Sequence, residues 1–226
     1  MMKKLILPAL RTFAIGALVL GLLLFLPAWT FKYWQAWLFI LVFLTCVTGI
    51  GLYLSINDPV LLERRKKVGP AAEQSPVQKI IMSLALVGIL ALLVICALDY
   101  RFQWTRVPVW VSLLGDGLIA LGLFINLLVF KENSFGGSTI ETVADQKVIS
   151  TGPYARVRHP MYLGVLVMMI GVPLALGSFW GLAVLALISP GLIWRILDEE
   201  QLLSLQLPGY AEYMQKVRFR LVPFLW

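Results

Sequence analysis

Apolar residues fill six stretches of the chain, at about 9–28, 35–56, 77–98, 109–130, 161–176 and 179–197, with polar residues gathered between them. Most are about 20 residues long, the length a helix needs to cross the roughly 30 Å of bilayer hydrocarbon. The last two are separated only by Pro173-Leu174-Ala175-Leu176-Gly177-Ser178. Proline and glycine mark a turn there, so 161–197 reads as a tight helical hairpin. The chain holds no convincing strand, internal repeat, low-complexity tract or second soluble domain. The pattern predicts an all-α integral membrane protein with about six transmembrane helices, forming a single membrane domain over 1–226.

Composition agrees. Of 226 residues, 60% are hydrophobic and 14% charged, against roughly 25% charged in an average soluble domain. Soluble, collagen-like, disordered and secreted disulfide-rich classes are excluded. Cys46 and Cys96 each sit inside an apolar run with no metal-type or redox-type spacing, and read as packing residues. The first span follows a basic Met1–Lys4, but its apolar region is long and Pro27-Ala28-Trp29 is no small-x-small cleavage site, so it reads as a retained anchor. The net charge of +7 is explained by topology rather than by nucleic acid. With a cytoplasmic N-terminus, 16 of the 19 Lys and Arg residues fall on the inside, and Lys32, Arg101 and Arg106 on the outside. The positive-inside rule then puts both termini in the cytoplasm of a multi-pass cell (inner) membrane protein.

Between spans, Trp29, Phe31, Tyr33, Trp34 and Trp37 suit an aromatic belt at the outer headgroup layer. The loop at 57–78, with Glu63-Arg64-Arg65-Lys66-Lys67, reads as a solvated segment facing lipid headgroups rather than a specific anion site. Asp99 lies near an outer helix end. Asp116 lies within a span, where an ionisable residue is a functional candidate by default, although Gly115 and Gly117 beside it equally suit close helix packing. Residues 131–160 form a long polar loop, KENSFGGST through QKVISTGPY to VRHP, of the kind that carries function.

Hydrogen-bonding residues of the C-terminal half cluster from Tyr154 to Tyr162, before the hairpin, and from Arg195 to Glu200, after it. A hairpin returns its chain to the starting side, so both clusters meet at the cytoplasmic interface and form a pocket at membrane level. Arg195 and Glu199 lie one turn apart on one helix face. They are either an interfacial ion pair, with the arginine snorkelling, or part of a site. His159 is the only histidine, which excludes multi-histidine metal sites. No phosphate-binding or dinucleotide-binding glycine pattern follows a strand, so any cofactor binds between helices and loop.

The strings GPYARVRHPMYLG at 152–164, WRILDEEQLL at 194–203 and PGYAEYMQKVRFRLVP at 208–223 resemble the isoprenylcysteine carboxyl methyltransferase family, including its small bacterial-type members. The order and spacing of Gly-x-Tyr, Arg-His-Pro-x-Tyr-x-Gly and Arg-x-x-x-Glu-Glu carry the resemblance, over about 115–223. It implies an all-helical membrane methyltransferase with N-terminal helices over 1–108 and a catalytic half over 109–226. S-adenosyl-L-methionine would sit in a cytosol-facing pocket, and a lipophilic acceptor would arrive from the bilayer. By motif, Gln146, Lys147, Val148, Ile149, Tyr154, His159, Pro160, Met161, Tyr162, Glu199 and Glu200 would hold the cofactor, and Arg195 would be catalytic, meeting the acceptor. The acceptor is left open among a carboxylate, a thiol and a phospholipid amine. The competing enzyme class is an NADPH-dependent membrane reductase of the sterol reductase type, which shares an Arg-His-Pro-x-Tyr-x-Gly-like tail. In that class Asn usually precedes the Tyr and Glu follows the Gly, where this chain has Met161 and Val165.

Overall fold

The computed structural model describes residues 2–140 and 146–226, and these form eight α-helices with no strand. They are α1 (Met2–Ala28), α2 (Trp34–Asn57), α3 (Pro59–Lys66), α4 (Pro76–Phe102), α5 (Val109–Glu132), α6 (Pro160–Ala175), α7 (Phe179–Gln206) and α8 (Tyr210–Lys216). Of these, α1, α2, α4, α5 and α7 are long and apolar enough to cross a membrane. The sixth expected span, α6, has only 16 residues, roughly 24 Å at 1.5 Å per residue. It packs along α5. Its start lies beside the C-terminal part of α7, where Tyr162 donates to Glu199, and its end lies beside the starts of α2 and α5.

What holds α6 in place is a glycine seam. Gly115 and Gly122 of α5 face Gly164 and Gly171 of α6, at the same seven-residue interval on each helix. A Cβ on Gly171 would meet the Gly115 carbonyl at 2.6 Å, and one on Gly164 would meet the Gly122 carbonyl at 2.8 Å. Helices in lipid gain little from burying apolar surface, so backbone approach of this kind supplies the packing. Gly115 therefore has the close-packing role expected next to Asp116, whereas Gly117 faces open space. Asp116 itself is buried, with neither carboxylate oxygen hydrogen-bonded.

The end of the bundle that carries the turn between α6 and α7 is tied by Asp99, which is fully buried. It accepts from the Thr105 backbone N–H at 2.8 Å, the Thr105 hydroxyl at 2.7 Å and the Ser178 hydroxyl at 2.6 Å. Ser178 in turn caps α7 by accepting from Gly181 N–H. Gly177, at φ +69°, makes the hairpin turn between α6 and α7. Tyr33 departs from the expected belt. Its neighbours Trp29 and Phe31 are exposed, but Tyr33 is 0% exposed, stacks on Tyr100 and donates its hydroxyl to the Leu176 carbonyl at 2.6 Å. Asp99 and Tyr33 thus fasten the turn to α4 and α2.

The 57–78 segment also differs from expectation. Asp58 accepts from Leu61 N–H and Pro59 occupies the first turn, so α3 forms where a solvated loop is expected. Leu61 is fully buried with Leu54, Val129 and Phe130. This packs the basic run against the 131–140 loop.

Candidate functional site

The loop after α5, the Gly152–Ala155 turn, the starts of α6 and α8, and the C-terminal part of α7 surround one open cavity of about 780 Å³, solvent-facing space included. Gln146, Lys147, Val148, Ile149, Tyr154, His159, Pro160, Met161, Tyr162 and Glu199 all line it. The two sequence clusters do meet across the hairpin. The Tyr162 hydroxyl donates to Glu199 Oε2 at 2.6 Å, fixing that carboxylate at the cavity wall.

Glu200 does not line the cavity, although the resemblance assigns it to the cofactor. Residues i and i+1 of a helix point about 100° apart, and Glu200 is turned into the protein. It is 6% exposed, accepts from Arg158 Nε at 2.6 Å and Arg220 Nε at 2.8 Å, and lies 3.2 Å from His159 Nε2. Arg158 extends the cluster by donating from Nη1 to the Val217 and Arg218 carbonyls. The Arg158 and His159 backbone N–H groups bond the Phe219 and Arg220 carbonyls. Glu200 therefore anchors the C-terminal tail beneath the Arg-His-Pro turn.

Arg195 and Glu199 are not a direct ion pair. Tyr162 stands between them, accepting from Arg195 Nε at 3.1 Å while donating to Glu199. The rest of the guanidinium faces away from Glu199. Nη1 donates to Gln78 Oε1 at 2.6 Å, and Nη2 donates to the Ser138 carbonyl at 3.0 Å and lies 2.9 Å from Glu73 Oε1. Gln78 also donates to Asp198. Arg195 is 8% exposed and reaches the cavity only through Tyr162.

Several cavity residues have no counterpart among the expected ones. Asn133 donates to the Tyr154 hydroxyl at 2.9 Å, and the Tyr213 hydroxyl donates to the Tyr154 carbonyl at 2.7 Å. Burial pushes the Tyr154 phenol up to about 12, which leaves it a neutral donor and acceptor at any physiological pH. Leu203, Leu207, Tyr210 and Tyr213 supply an apolar and aromatic wall. Tyr210 and Tyr213 lie within the PGYAEY string that carries part of the resemblance, the one available signal for them. Arg65, from the basic run, points inward. Its Nη1 donates to the Gly136 carbonyl at 3.0 Å and the Gly137 carbonyl at 3.3 Å, and its guanidinium lies 4.1 Å from the Phe130 ring centroid. Desolvation by burial lowers it to about 10, so it remains a cation holding the glycine loop against the cavity.

With this geometry in view, residues 110–206 match the family model described as phospholipid methyltransferase. No curated protein matches the chain. The matched segment is thus similar to a phospholipid methyltransferase domain, in line with the methyltransferase resemblance of the motifs. The matched segment contains every residue that the motifs assign to the site. Gln78, Glu73 and Arg65 lie outside it. The match lies in a chain with five helices long and apolar enough to cross a membrane.

Proposed function

We propose that the protein is a single membrane domain that transfers a methyl group from S-adenosylmethionine to a lipophilic acceptor at the cytoplasmic face of the cell (inner) membrane. One observation carries this reading. Ten residues separated in sequence, assigned by motif to the cofactor, line one cavity whose donor set suits that ligand. S-adenosylmethionine supplies an electrophilic methyl on a sulfonium, transferred by in-line displacement without metal or covalent intermediate. Glu199, fixed by Tyr162, presents a carboxylate to a sulfonium or ammonium. Lys147, exposed at the mouth, suits a carboxylate, and the tyrosines and leucines of α7 and α8 suit a heteroaromatic base. Arg195 acts through Tyr162 as a positioning residue. The protein contributes alignment and exclusion of water, the terms with the largest effective molarity.

Titrating the purified protein with S-adenosylhomocysteine and with NADPH tests this. Ligand binding to the folded state adds RT ln(1+[L]/Kd), about 2.7 kcal/mol at a hundredfold excess over Kd. A rise in Tm with the adenosyl compound and none with NADPH is expected. The opposite result would transfer the site to the reductase class.

The orientation rests on the 16 to 3 division of basic residues. Ser134 is exposed in the 131–140 loop, whereas the hydroxyl of Ser138 is bonded to the Arg65 carbonyl. In a background lacking Cys46 and Cys96, Ser134→Cys is expected to resist a membrane-impermeant thiol reagent until cells are opened. Prompt labelling of intact cells would invert the topology and separate the cavity from cytosolic cofactor.

A further inference from the structure

Behind the Tyr162 and Ile140 wall of the cavity, Arg195 of the matched segment pairs with Glu73, which lies outside that segment. Glu73 lies in the short connection between the Pro70–Ala72 turn and α4, and is 3% exposed. Its Oε1 is 2.9 Å from Arg195 Nη2, and its Oε2 accepts from the Ile140 backbone N–H at 3.2 Å. Nε and Nη1 of the same guanidinium are taken by Tyr162 and Gln78, and Nη2 also serves the Ser138 carbonyl. The planar fork of Arg195, the group best shaped to grip an incoming carboxylate, is therefore occupied by a carboxylate of the chain itself.

We propose that Glu73 is a specificity-determining residue that holds Arg195 closed to anionic acceptors and directs methyl transfer to acceptors whose reacting end carries no negative charge. This rests on reading the cavity as a methyl-transfer site. With Glu73 in place, the Arg195 pair is neutral and Glu199 leaves the adjoining wall negative. A second carboxylate arriving beside Tyr162 would find the cation there, Arg195, already paired with Glu73, and leaving a buried charge unpaired is costly. Displacing Glu73 would strand it in the interior and break its bond to Ile140. A neutral amine or thiol meets neither penalty. As its nitrogen or sulfur bonds the methyl, the sulfonium–methyl bond breaks, the cofactor leaves as a neutral thioether, and the acceptor's proton goes to water.

The test uses the full chain in phosphatidylcholine nanodiscs, with laurate and dodecanol as probes of equal chain length. The quantity read is the ratio of their affinities. Wild-type protein is expected to bind laurate more weakly than dodecanol. In Glu73→Gln the ratio should shift toward laurate on the order of tenfold, the worth of one charge-assisted hydrogen bond at its low end. Glu73→Asp, which keeps the charge, should restore rejection, and Glu73→Gln combined with Arg195→Gln should abolish the gain. A merely structural role would lower Tm without moving the ratio. Preference of the wild-type protein for laurate overturns the proposal without any variant. So does an unchanged ratio in Glu73→Gln, including no detectable binding of either probe. S-adenosylhomocysteine titrated into the same nanodiscs reports separately on the methyltransferase reading: its failure to bind wild-type protein sinks that reading, whereas the laurate ratio speaks only to Glu73.

Discussion

Replacing Glu200 by alanine is expected to destabilise the protein by about 3–5 kcal/mol, the cost of removing one partner from a buried ion pair. The reason is the company Glu200 keeps. Arg158 and His159 are both buried, and Arg220 is partly so. Without the carboxylate, the Arg158 guanidinium stays in the interior with only the Val217 and Arg218 carbonyls as partners. The tail from Val217 to Trp226 should then loosen, because it keeps its backbone bonds to Arg158 and His159 but loses the acid that joins the Arg-His-Pro turn to Arg220. The measurements are Tm in detergent and the rate of limited proteolysis after Phe219. Glu200→Gln, which keeps acceptor oxygen but not charge, should lie between wild type and alanine. A loss under about 1 kcal/mol for Glu200→Ala would mean that the cluster is no stronger than an exposed pair.

Glu199 and Glu200 also illustrate which parts of the site were legible in the sequence. The motif marks both, and the hairpin, read from Pro173, Gly177 and Ser178, correctly brings them against Tyr162 and His159. Adjacent residues on a helix cannot share a target, however, and only packing decides which one faces the cavity. The Arg195 to Glu199 spacing permitted a direct pair in the same way, and the Tyr162 hydroxyl took its place. Helix lengths were readable from apolar runs, and the glycine seam explains how the short α6 is held against α5.

The unread part is the contribution of residues 58–78. Arg65, Glu73 and Gln78 lie 117 or more residues from Arg195 in sequence, or bond backbone carbonyls that carry no side-chain signature. A charge run beside Gly-Pro has the composition of a solvated loop. Its inward arginine is set by Leu61 and the α3 cap, which anchor the segment to α5. Tyr33 is a similar case: among five aromatic residues in nine positions, composition suggests a belt, whereas one hydroxyl finding the Leu176 carbonyl makes that tyrosine a core residue.

Arg195→Lys is expected to lower methyl transfer on the order of a hundredfold while leaving S-adenosylhomocysteine affinity nearly unchanged. Lysine keeps the positive charge facing Glu73 but offers one nitrogen in place of a planar fork. It cannot serve Tyr162, Gln78, Ser138 and Glu73 together at the observed 2.6–3.1 Å. Tyr162 loses the donor that orients its hydroxyl, and a shift of about 1 Å in the reacting geometry is enough for that loss of rate. Glu199→Gln should give the complementary result. It removes a charge-assisted contact to the cofactor's cationic end, worth roughly 1.5–3 kcal/mol, so the Kd for S-adenosylmethionine should rise about tenfold or more. Both variants are read in one preparation, by calorimetry with the cofactor and by transfer of labelled methyl into membrane lipid. If Arg195→Lys weakens cofactor binding as much as Glu199→Gln does, Tyr162 is not a relay between two functions and the chain from Arg195 through Tyr162 to Glu199 is one binding unit. If neither variant changes affinity or rate, the three residues are a structural cluster and the acceptor must meet the cofactor elsewhere along the cavity wall.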